Sequence, residues 1–341
     1  MRLIDINKKR RFETKDIVKR KGIIVPDQIR IKGYPLEKPN TVFNASFKFT
    51  ENGLRIFSRA CFGYYTYACS IIEFEIPLED ISFRSEKKYE AEISIFPDSK
   101  YDFWGVEDPR YYKIDNMELI TYCGRTLSYL SNEISMEKTL PVTAIRQGER
   151  WKKIAVFRMP EDIRWIMSSD KNAFLFKVED EILLFHRPHI AEKRFYLSVS
   201  KVEKEKIMNP KELEEVEIKE ILFFAEPASF ESKIGWATPP IKIGNENLVF
   251  IHAMGKDHVY RVLCALVDNR GYICSVTPFY IMEPREIYEI YGDRPYVVFP
   301  CGAQLFGEKI YITYGASDSF IGIGELEVDH LLDILQKNRI Y

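Results

Sequence analysis

Short apolar runs separated by polar turns dominate the chain, and long stretches of helical periodicity are scarce. Five segments share one plan, in which a strand, a tight polar turn and a more apolar strand lead to a small or charged residue. The segments cover residues 44–60, 107–125, 171–188, 238–254 and 300–317. Their turns fall at Gly53, Asn116, Asp180, Asn245 and Gly307. Glycine, asparagine and aspartate tolerate the positive φ that tight hairpins require, so each segment is predicted to be a β-hairpin.

The even spacing of the hairpins predicts a radial repeat. Successive turns are separated by 63, 64, 65 and 62 residues. We therefore predict an all-β fold, a five-bladed β-propeller, over residues 41–325. Residues 1–40 look irregular and form an N-terminal extension, and apolar residues at helical spacing predict a short C-terminal helix within residues 326–341. The alternative is chance spacing of hairpins in a two-domain β protein.

Composition narrows the function classes. The 341 residues carry a formal net charge of -2, which gives no reason to expect a nucleic-acid partner. A basic run at residues 7–21 is interpreted as a solvated face rather than a phosphate-binding arm. No signal-peptide core follows Met1 and no apolar run is long enough for a membrane span, so we expect a cytoplasmic protein. The six cysteines include no C-x-x-C motif and are expected to be reduced and partly buried.

Polar residues recur at equivalent ends of the predicted hairpins. The inner strands of a propeller line a central channel, so their ends meet at a funnel. In this chain those ends carry Asn44, Arg59, Asp108, Arg110, Lys171, Arg187, His252 and Asp318. Converging cations indicate an anionic ligand.

An ordered set of short motifs brings a family resemblance. They are "GVEDPR" and "TYCGR" around the second hairpin, "KNAFLF" and "LLFHRP" in the third, "WATPPI", "IHAM" and "VYRVLCALVD" in and after the fourth, and "VVFPCGA" and "YITYGASD" around the fifth. Together they resemble glycoside hydrolase family 130, the inverting β-mannoside phosphorylases and their hydrolytic relatives. The resemblance covers about residues 40–325. That family's fold is a five-bladed propeller, which agrees with the repeat.

The resemblance implies a reaction and a set of site residues. Inorganic phosphate attacks the anomeric carbon of a mannosyl unit in a mannose-containing oligosaccharide, and Asp108 acts as the catalytic general acid. The implied phosphate-binding residues are Arg59, Arg146, Lys171, Arg187, His252 and Tyr260. The implied sugar-binding residues are Asn44, Arg110 and Asp318. The resemblance implies no metal and no cofactor beyond phosphate as co-substrate. Family members are often oligomers, and the oligomeric state of this chain stays open.

Departures from the family pattern leave the specificity open. The chain has Ile251-His252-Ala253, Lys171-Asn172 and "TYCGRT" where members often differ. The linkage, β-1,2 or β-1,4, and the acceptor sugar are therefore not assigned.

Two other functions stay open at this stage. Phosphate needs cations rather than a base, whereas an inverting β-mannosidase needs a second carboxylate roughly 6.5–9.5 Å away to activate water. Glu231 and Glu289 are the candidates for that base, and each has sugar binding or a structural ion pair as its alternative. The third hypothesis is a non-catalytic carbohydrate-binding propeller.

Four single features have less specific alternatives. Asp108 beside Pro109 could cap a turn, and Glu107 is expected to form an ion pair with Arg110 or with another strand. The H-x-x-H spacing at residues 186–189 lacks the further ligands of a metal site. Cys301 is interpreted as a small buried residue rather than a nucleophile.

Overall fold

The structure is a computed structural model that describes residues 2–63, 68–83, 85–127, 138–190 and 194–340. Strands dominate it. In chain order they are β1 (Arg2–Leu3), β2 (Lys19–Ile24), β3 (Ile29–Ile31), β4 (Thr41–Phe49), β5 (Gly53–Cys61), β6 (Cys69–Pro77), β7 (Tyr89–Ile95), β8 (Val106–Ile114), β9 (Met117–Arg125), β10 (Thr139–Gln147), β11 (Arg150–Arg158), β12 (Met167–Val178), β13 (Glu181–Ile190), β14 (Arg194–Phe195), β15 (Leu197–Val202), β16 (Glu214–Glu217), β17 (Glu220–Ala225), β18 (Glu231–Trp236), β19 (Ile241–Ile243), β20 (Glu246–Gly255), β21 (Tyr260–Val267), β22 (Ile273–Val276), β23 (Val298–Phe306), β24 (Lys309–Ala316) and β25 (Phe320–Glu327). The α-helices are α1 (Glu161–Arg164), α2 (Lys204–Met208), α3 (Ile287–Ile290) and α4 (Val328–Gln336).

The described strands form five sheets, which are the blades of a propeller. From the channel outwards, blade 1 has the order β4-β5-β6-β7-β3, blade 2 has β8-β9-β10-β11-β16, and blade 3 has β12-β13-β15-β17-β1 with β14 beside β13. Blade 4 has β18-β20-β21-β22, with β19 continuing the inner edge along β20, and blade 5 has β23-β24-β25-β2. The predicted five-bladed propeller is confirmed.

The predicted hairpins are the inner strand pairs of the blades. Positive φ angles occur at or next to four of the predicted turn residues, at Asp115, Glu179, Gly244 and Gly307. These turns are short and left-handed because only such backbones match the twist of the two flanking strands. The repeat seen in the sequence therefore corresponds to one hairpin per blade.

The N-terminal segment contributes strands to three blades. Strand β1 pairs in parallel with β17, β2 pairs antiparallel with β25, and β3 pairs in parallel with β7. Blade 5 thus combines the first part of the chain with the last. This pairing closes the ring and covers sheet edges that would otherwise expose unpaired backbone groups.

Two arginines of the basic run lie in buried ion pairs. Arg10 pairs with Glu231 and Arg20 pairs with Glu289, and all four side chains are almost fully buried. The interpretation of residues 7–21 as a solvated face is therefore wrong for Arg10 and Arg20. The two pairs tie the N-terminal segment to the first residue of β18 in blade 4 and to α3, which follows that blade.

The C-terminal helix is present as α4. It places Leu331 and Leu335 in a buried apolar cluster with residues of blades 4 and 5. Ser275 of β22 donates a hydrogen bond to the carbonyl of Leu335 at 2.6 Å. The helix therefore covers the outer side of these two blades.

The expectation of reduced thiols is wrong for two cysteines. Cys61 and Cys69 face each other across β5 and β6 and form a disulfide. Cys123, Cys264, Cys274 and Cys301 are free, and all but Cys274 are buried. Sequence spacing could not reveal the pair, because the contact depends on the register of two strands.

Candidate active site

Three equivalent residues with left-handed backbones form one wall of a pocket at the mouth of the channel. Asn44, Asp108 and Asn172 have φ angles of 49°, 54° and 55°. Each lies where the inner strand shifts register against its neighbour. Such bulges re-aim side chains, and asparagine and aspartate tolerate this conformation better than other residues with a Cβ atom. The repeat therefore directs three polar side chains to the same place.

The pocket has a volume of about 500 Å³. Eight of the ten predicted site residues line it, namely Asn44, Arg59, Asp108, Lys171, Arg187, His252, Tyr260 and Asp318. Its other lining residues are Glu107, Asn172, Lys233, Asp293, Arg294, Val297 and Phe299. Charged groups from all five blades thus meet at one end of the channel.

Asp108 is held by polar neighbours. Its Oδ1 atom accepts hydrogen bonds from Nδ2 of Asn44 at 2.7 Å and from Nη1 of Arg59 at 3.2 Å. The side chain is almost fully buried and still reaches the pocket. These two donors fix one carboxyl oxygen, so the orientation of the carboxyl group is defined before any ligand binds.

Glu107 forms the expected ion pair, with other strands rather than with Arg110. Its Oε1 atom lies 3.1 Å from Nη2 of Arg59 and 3.6 Å from Nη1 of Arg125. Its Oε2 atom lies 3.5 Å from Nζ of Lys171. Glu107 therefore links the inner strands of blades 2 and 3 to β5 of blade 1.

Three cations of the pocket, Arg187, Lys233 and Arg294, form no ion pair with an acid among the described residues. Arg187 is 6% exposed, its Nε atom is buried without a hydrogen-bond partner, and its guanidinium lies 5.0 Å from the ring centre of Phe195. Lys233 lies 5.0 Å from the ring centre of Tyr260. Burial, followed by the charges of Arg187, Arg294 and Lys171, lowers the pKa of Lys233 to about 7. Unpaired cations crowded in this way favour an anionic ligand.

A neutral imidazole completes this side of the pocket. Burial, followed by the nearby cations, lowers the pKa of His252 well below its ordinary value. Its Nδ1 atom has no hydrogen-bond partner. A Cβ atom at residue 235 would lie 2.5 Å from Cε1 of the ring, so Gly235 on the paired strand provides the space that His252 occupies.

A segment between blades 4 and 5 supplies two more charged residues. Asp293 is anchored through its backbone N–H to Oγ of Ser319 at 2.8 Å, and Arg294 through its N–H to the carbonyl of Ser317 at 3.0 Å. Burial raises the pKa of Asp293, and burial raises that of Asp318 to about 6. The pocket thus contains both carboxyl groups and cations that form no ion pair with an acid among the described residues.

The structure does not bring Arg110 and Arg146 into the pocket. Arg146 lies near the far end of β10, where Nη1 contacts Glu73 at 2.7 Å. The family resemblance implies Arg146 by its position in the sequence, and the sequence does not show which end of an outer strand faces the funnel. Arg110 is fully buried beneath the pocket floor, where its guanidinium binds backbone carbonyls.

Four polar lining residues were missed by sequence reasoning. Asn172 occupies the blade-3 position equivalent to Asp108, so the repeat spacing could have found it. Lys233 precedes the predicted fourth hairpin, and Asp293 and Arg294 lie between the fourth and fifth hairpins. No local pattern marks these three, because their approach to the pocket depends on the packing of blades 4 and 5.

The two candidate bases for water lie in structural networks. Glu231 accepts hydrogen bonds from Arg10, from the Tyr280 hydroxyl at 2.8 Å and from the Ala228 N–H at 2.8 Å. Neither Glu231 nor Glu289 lines the pocket. Their alternative assignment, the structural ion pair, fits the structure.

Glu289 has a network of the same kind. Its carboxylate accepts hydrogen bonds from Arg20, from the Tyr314 hydroxyl at 2.7 Å and from the Arg285 N–H at 2.9 Å. All of its neighbours in this network are donors. The carboxylate is therefore occupied within the protein and is not available to a water molecule in the pocket.

The histidines of the H-x-x-H pattern are separated. His186 is fully buried between Asp170 and Ser200, with Nδ1–Oδ2 and Nε2–Oγ distances of 2.7 and 2.8 Å. His189 stacks on Phe195. Within the ranges that the structure describes, no group of histidine, cysteine, aspartate or glutamate side chains has the geometry of a metal site. Burial raises the pKa of the Cys301 thiol, which opposes formation of a thiolate nucleophile.

A second hollow, of about 860 Å³, lies at the opposite mouth of the channel. The penultimate inner-strand residues Lys48, Lys113, Lys177 and Lys242 line it. The first three pair with Glu118 or Asp115, and Lys242 donates to Asn269. Because these cations already have partners, the anionic ligand is better placed in the funnel that contains Asp108.

Comparison with known proteins identifies the family. The sequence model of glycoside hydrolase family 130, described as β-1,4-mannooligosaccharide phosphorylase, matches residues 8–337. The chain belongs to glycoside hydrolase family 130. The resemblance seen in the sequence is thereby confirmed.

Relatives within family 130 include several phosphorylases. The chain is 29% identical over 316 residues to a β-1,2-mannobiose phosphorylase of Thermoanaerobacter sp., which covers 87% of this chain and 93% of the relative. It is 25% identical over 236 residues to a 1,2-β-oligomannan phosphorylase of the same organism, covering 68% of this chain and 71% of the relative. It is 28% identical over 116 residues to a β-1,4-mannooligosaccharide phosphorylase of Ruminococcus albus, covering 31% and 34%.

Solved structures of family 130 share the fold. The β-1,2-mannobiose phosphorylase of Listeria innocua, in complex with β-1,2-mannobiose, has a TM-score of 0.72 at 16% identity, covering 94% of this chain and 99% of that chain. A family 130 structure described with glycoside hydrolases that target β-1,2 mannosidic linkages in Candida mannan has a TM-score of 0.62 at 15% identity, covering 91% and 95%. At these identities the likeness concerns the fold alone. Over the described part of the chain, no helix has both the length and the apolar character that crossing a bilayer requires.

Proposed function

We propose that the protein is an inverting β-mannoside phosphorylase. Inorganic phosphate cleaves a β-1,2- or β-1,4-linked mannoside and releases α-mannose 1-phosphate and a shortened sugar. The observation that carries the proposal is that buried Arg187 and half-buried Lys233, which have no acidic partner among the described residues, lie in the same pocket as Asp108. A phosphate dianion fits such a site, since it provides the charge that these cations lack.

Two groups of pocket residues have different roles in this reaction. Asp108, oriented by Asn44 and Arg59, is the general acid that protonates the leaving sugar, directly or through a sugar hydroxyl. Phosphate lies between Arg187, Lys233 and Lys171 and attacks the anomeric carbon from the opposite face. Attack on that face inverts the configuration, which is why a β-mannoside gives an α-phosphate.

Neutral groups assist on both sides. His252, held neutral by burial, and Tyr260 bind phosphate oxygens as uncharged partners. Asn44, Asn172 and Asp318 contact sugar hydroxyls. Asp293 and Arg294 lie on the segment between blades 4 and 5 and face the acceptor sugar.

A β-mannosidase that uses water would require one of the protein's carboxylates as a base. Water would need a base, and Glu231 and Glu289 are occupied in ion pairs outside the pocket. Of the other pocket carboxylates, Glu107 is held in ion pairs, and burial has raised the pKa of both Asp293 and Asp318. A β-mannosidase activity would therefore depend on one of these two residues.

The deciding experiment measures cleavage of β-1,2- and β-1,4-mannobiose with and without phosphate. β-1,2-Mannobiose is tested first, because the relative that covers most of this chain acts on it. We expect negligible cleavage without phosphate, and α-mannose 1-phosphate as the product when millimolar phosphate is added. Free mannose released at the same rate without phosphate would support the mannosidase. Sugar binding without turnover on the whole panel would indicate a carbohydrate-binding propeller.

A further inference from the structure

Arg110 forms the floor beneath Asp108. It is one of the largest fully buried side chains of the described part of the protein. Its Nη1 atom donates to the carbonyl of Asp108 at 2.8 Å, Nε donates to the carbonyl of Ala237 at 2.9 Å, and Nη2 to that of Trp236 at 3.3 Å. Asp108 lies in blade 2, whereas Trp236 is the last residue of β18 in blade 4 and Ala237 directly follows it. Arg110 therefore joins two non-adjacent blades through the backbone.

The partners of Arg110 are unusual for a buried arginine. Within the described part of the chain, the hydrogen bonds of its side chain go to three carbonyl oxygens and to no carboxylate. Arg10 and Arg20, by contrast, are buried against acids, and Arg187, which has no acidic partner among the described residues, lines the pocket itself. Neutral partners leave the charge of Arg110 uncompensated beneath the pocket, which is costly unless the group has a role there.

The backbone at Asp108 needs such support. Its φ of 54° lies in the left-handed region, which is unfavourable for a residue with a Cβ atom. The ladder between β8 and β9 shifts register between Glu107 and Arg110, and Pro109 has no N–H to donate. The carbonyl of Asp108 finds a donor in Arg110 instead.

The repeat shows that this arrangement is specific to blade 2. The residues two positions after the other left-handed bulge residues are Ser46 in blade 1 and Phe174 in blade 3. Neither is a cation, although both bulges have the same backbone geometry. The bulge therefore does not itself require arginine, and the arginine accompanies the one bulge residue that carries an acid.

We propose that Arg110 is the positioning residue of Asp108. It ties the carbonyl of the left-handed bulge to the backbone of blade 4 and so fixes the direction in which the carboxyl group points. It touches neither sugar nor phosphate. The inference deepens the proposed function and rests on it, since it assumes that Asp108 donates the proton to the leaving group.

The test compares two leaving groups. A sugar leaving group needs protonation, whereas 4-nitrophenolate leaves without it. With phosphate present, the Arg110→Met variant should lose about 10²-fold in kcat on the mannobiose that the wild type cleaves, within the range that general acid assistance supplies. On 4-nitrophenyl β-mannoside its loss should be small. Asp108→Asn should show the same selective loss, and Asp108→Asn/Arg110→Met should be no slower than Asp108→Asn, because both changes remove one function.

Two further variants keep the test decisive. Arg110→Lys retains the charge but cannot reach three carbonyls at once, so it should show the same selectivity even if Arg110→Met does not fold. Arg339→Met removes an arginine that pairs with Glu246 away from the pocket and should leave the ratio of the two rates unchanged. Thermal melting of each variant measures the structural cost separately.

Distinct outcomes overturn distinct claims. Equal losses on both substrates, or additive effects in the double variant, would give Arg110 a merely structural role and overturn the positioning proposal alone. Wild-type rates in Arg110→Met would also overturn it. A variant Asp108→Asn without selective loss would overturn the role of Asp108 as the acid, and the role of Arg110 with it.

Discussion

Asn44 and Asp108 occupy equivalent positions in neighbouring blades, share a left-handed backbone and are joined by a 2.7 Å hydrogen bond from Nδ2 to Oδ1. They lie 64 residues apart in sequence, which is one repeat of the propeller. One bulge thus supplies the acid, and the equivalent bulge supplies the amide that orients it. The residue at this one position of the repeat therefore decides whether a blade contributes the acid or an amide.

The variant Asp108→Asn should lose most of the phosphorolytic turnover and remain folded. The amide has the same shape and also tolerates the left-handed backbone, but it cannot donate an acidic proton. We expect kcat on a mannobiose to fall by about 10²–10⁴, the range of general acid catalysis. Circular dichroism checks the fold, and a variant that keeps more than about a tenth of the activity would exclude Asp108 as the acid.

The variant Arg187→Ala should weaken phosphate binding far more than mannoside binding. The buried guanidinium has no acidic partner among the residues that the structure describes, so phosphate would supply its charge-assisted hydrogen bonds. The loss should be about 2–5 kcal/mol, measured as a rise in the Michaelis constant for phosphate. Arg187→Lys keeps the charge but lacks the paired donors, so its Michaelis constant for phosphate should lie between those of the wild type and Arg187→Ala. A proportional rise for both substrates would contradict a phosphate site.

Phosphate binding should weaken as the pH rises through the pKa of Lys233, about 7. Below this pKa the ammonium is charged and attracts phosphate, and above it the neutral amine does not. Bound phosphate moves the midpoint upward, because the charged form is then favoured. In Lys233→Arg the positive charge persists at all of these pH values. The Michaelis constant for phosphate of the wild type, divided by that of the variant, should therefore rise from about pH 6 to about pH 9. Since both proteins experience the same ionisation of phosphate, a flat ratio would exclude Lys233 from the phosphate site.

The variant Glu231→Gln should lower stability rather than change the nucleophile. It breaks the buried pair with Arg10 and leaves a cation without its acid. We expect the free energy of unfolding to fall by about 3–5 kcal/mol, measured by chemical denaturation. Cleavage by the folded variant should still require phosphate. Loss of all cleavage in a protein of normal stability would instead make Glu231 a catalytic base.

The amino-acid sequence by itself determined the repeating elements of this fold. A hairpin depends on local signals, namely the alternation of apolar residues in its strands and a turn residue such as Gly53, Asn116 or Asp180. These signals extend over only a few positions, so they specify a hairpin without reference to the rest of the chain. Even spacing then predicted the propeller. The same repeat, with the family motifs, located Asp108 and seven further pocket residues.

Only the tertiary structure decided which charges are paired. The sequence predicted Arg10 and Arg20 to be surface cations, but they are buried in ion pairs with Glu231 and Glu289. Arg187, in contrast, has no acidic partner among the described residues. Arg110 was expected to bind the sugar but lies beneath the pocket, and Arg146 was expected to bind phosphate but lies near the far end of its strand. Lys233 lines the pocket although it lies outside the predicted hairpins. Pairing and burial join residues that are far apart in sequence, and their energies depend on the local dielectric and on blade packing, which no local pattern encodes.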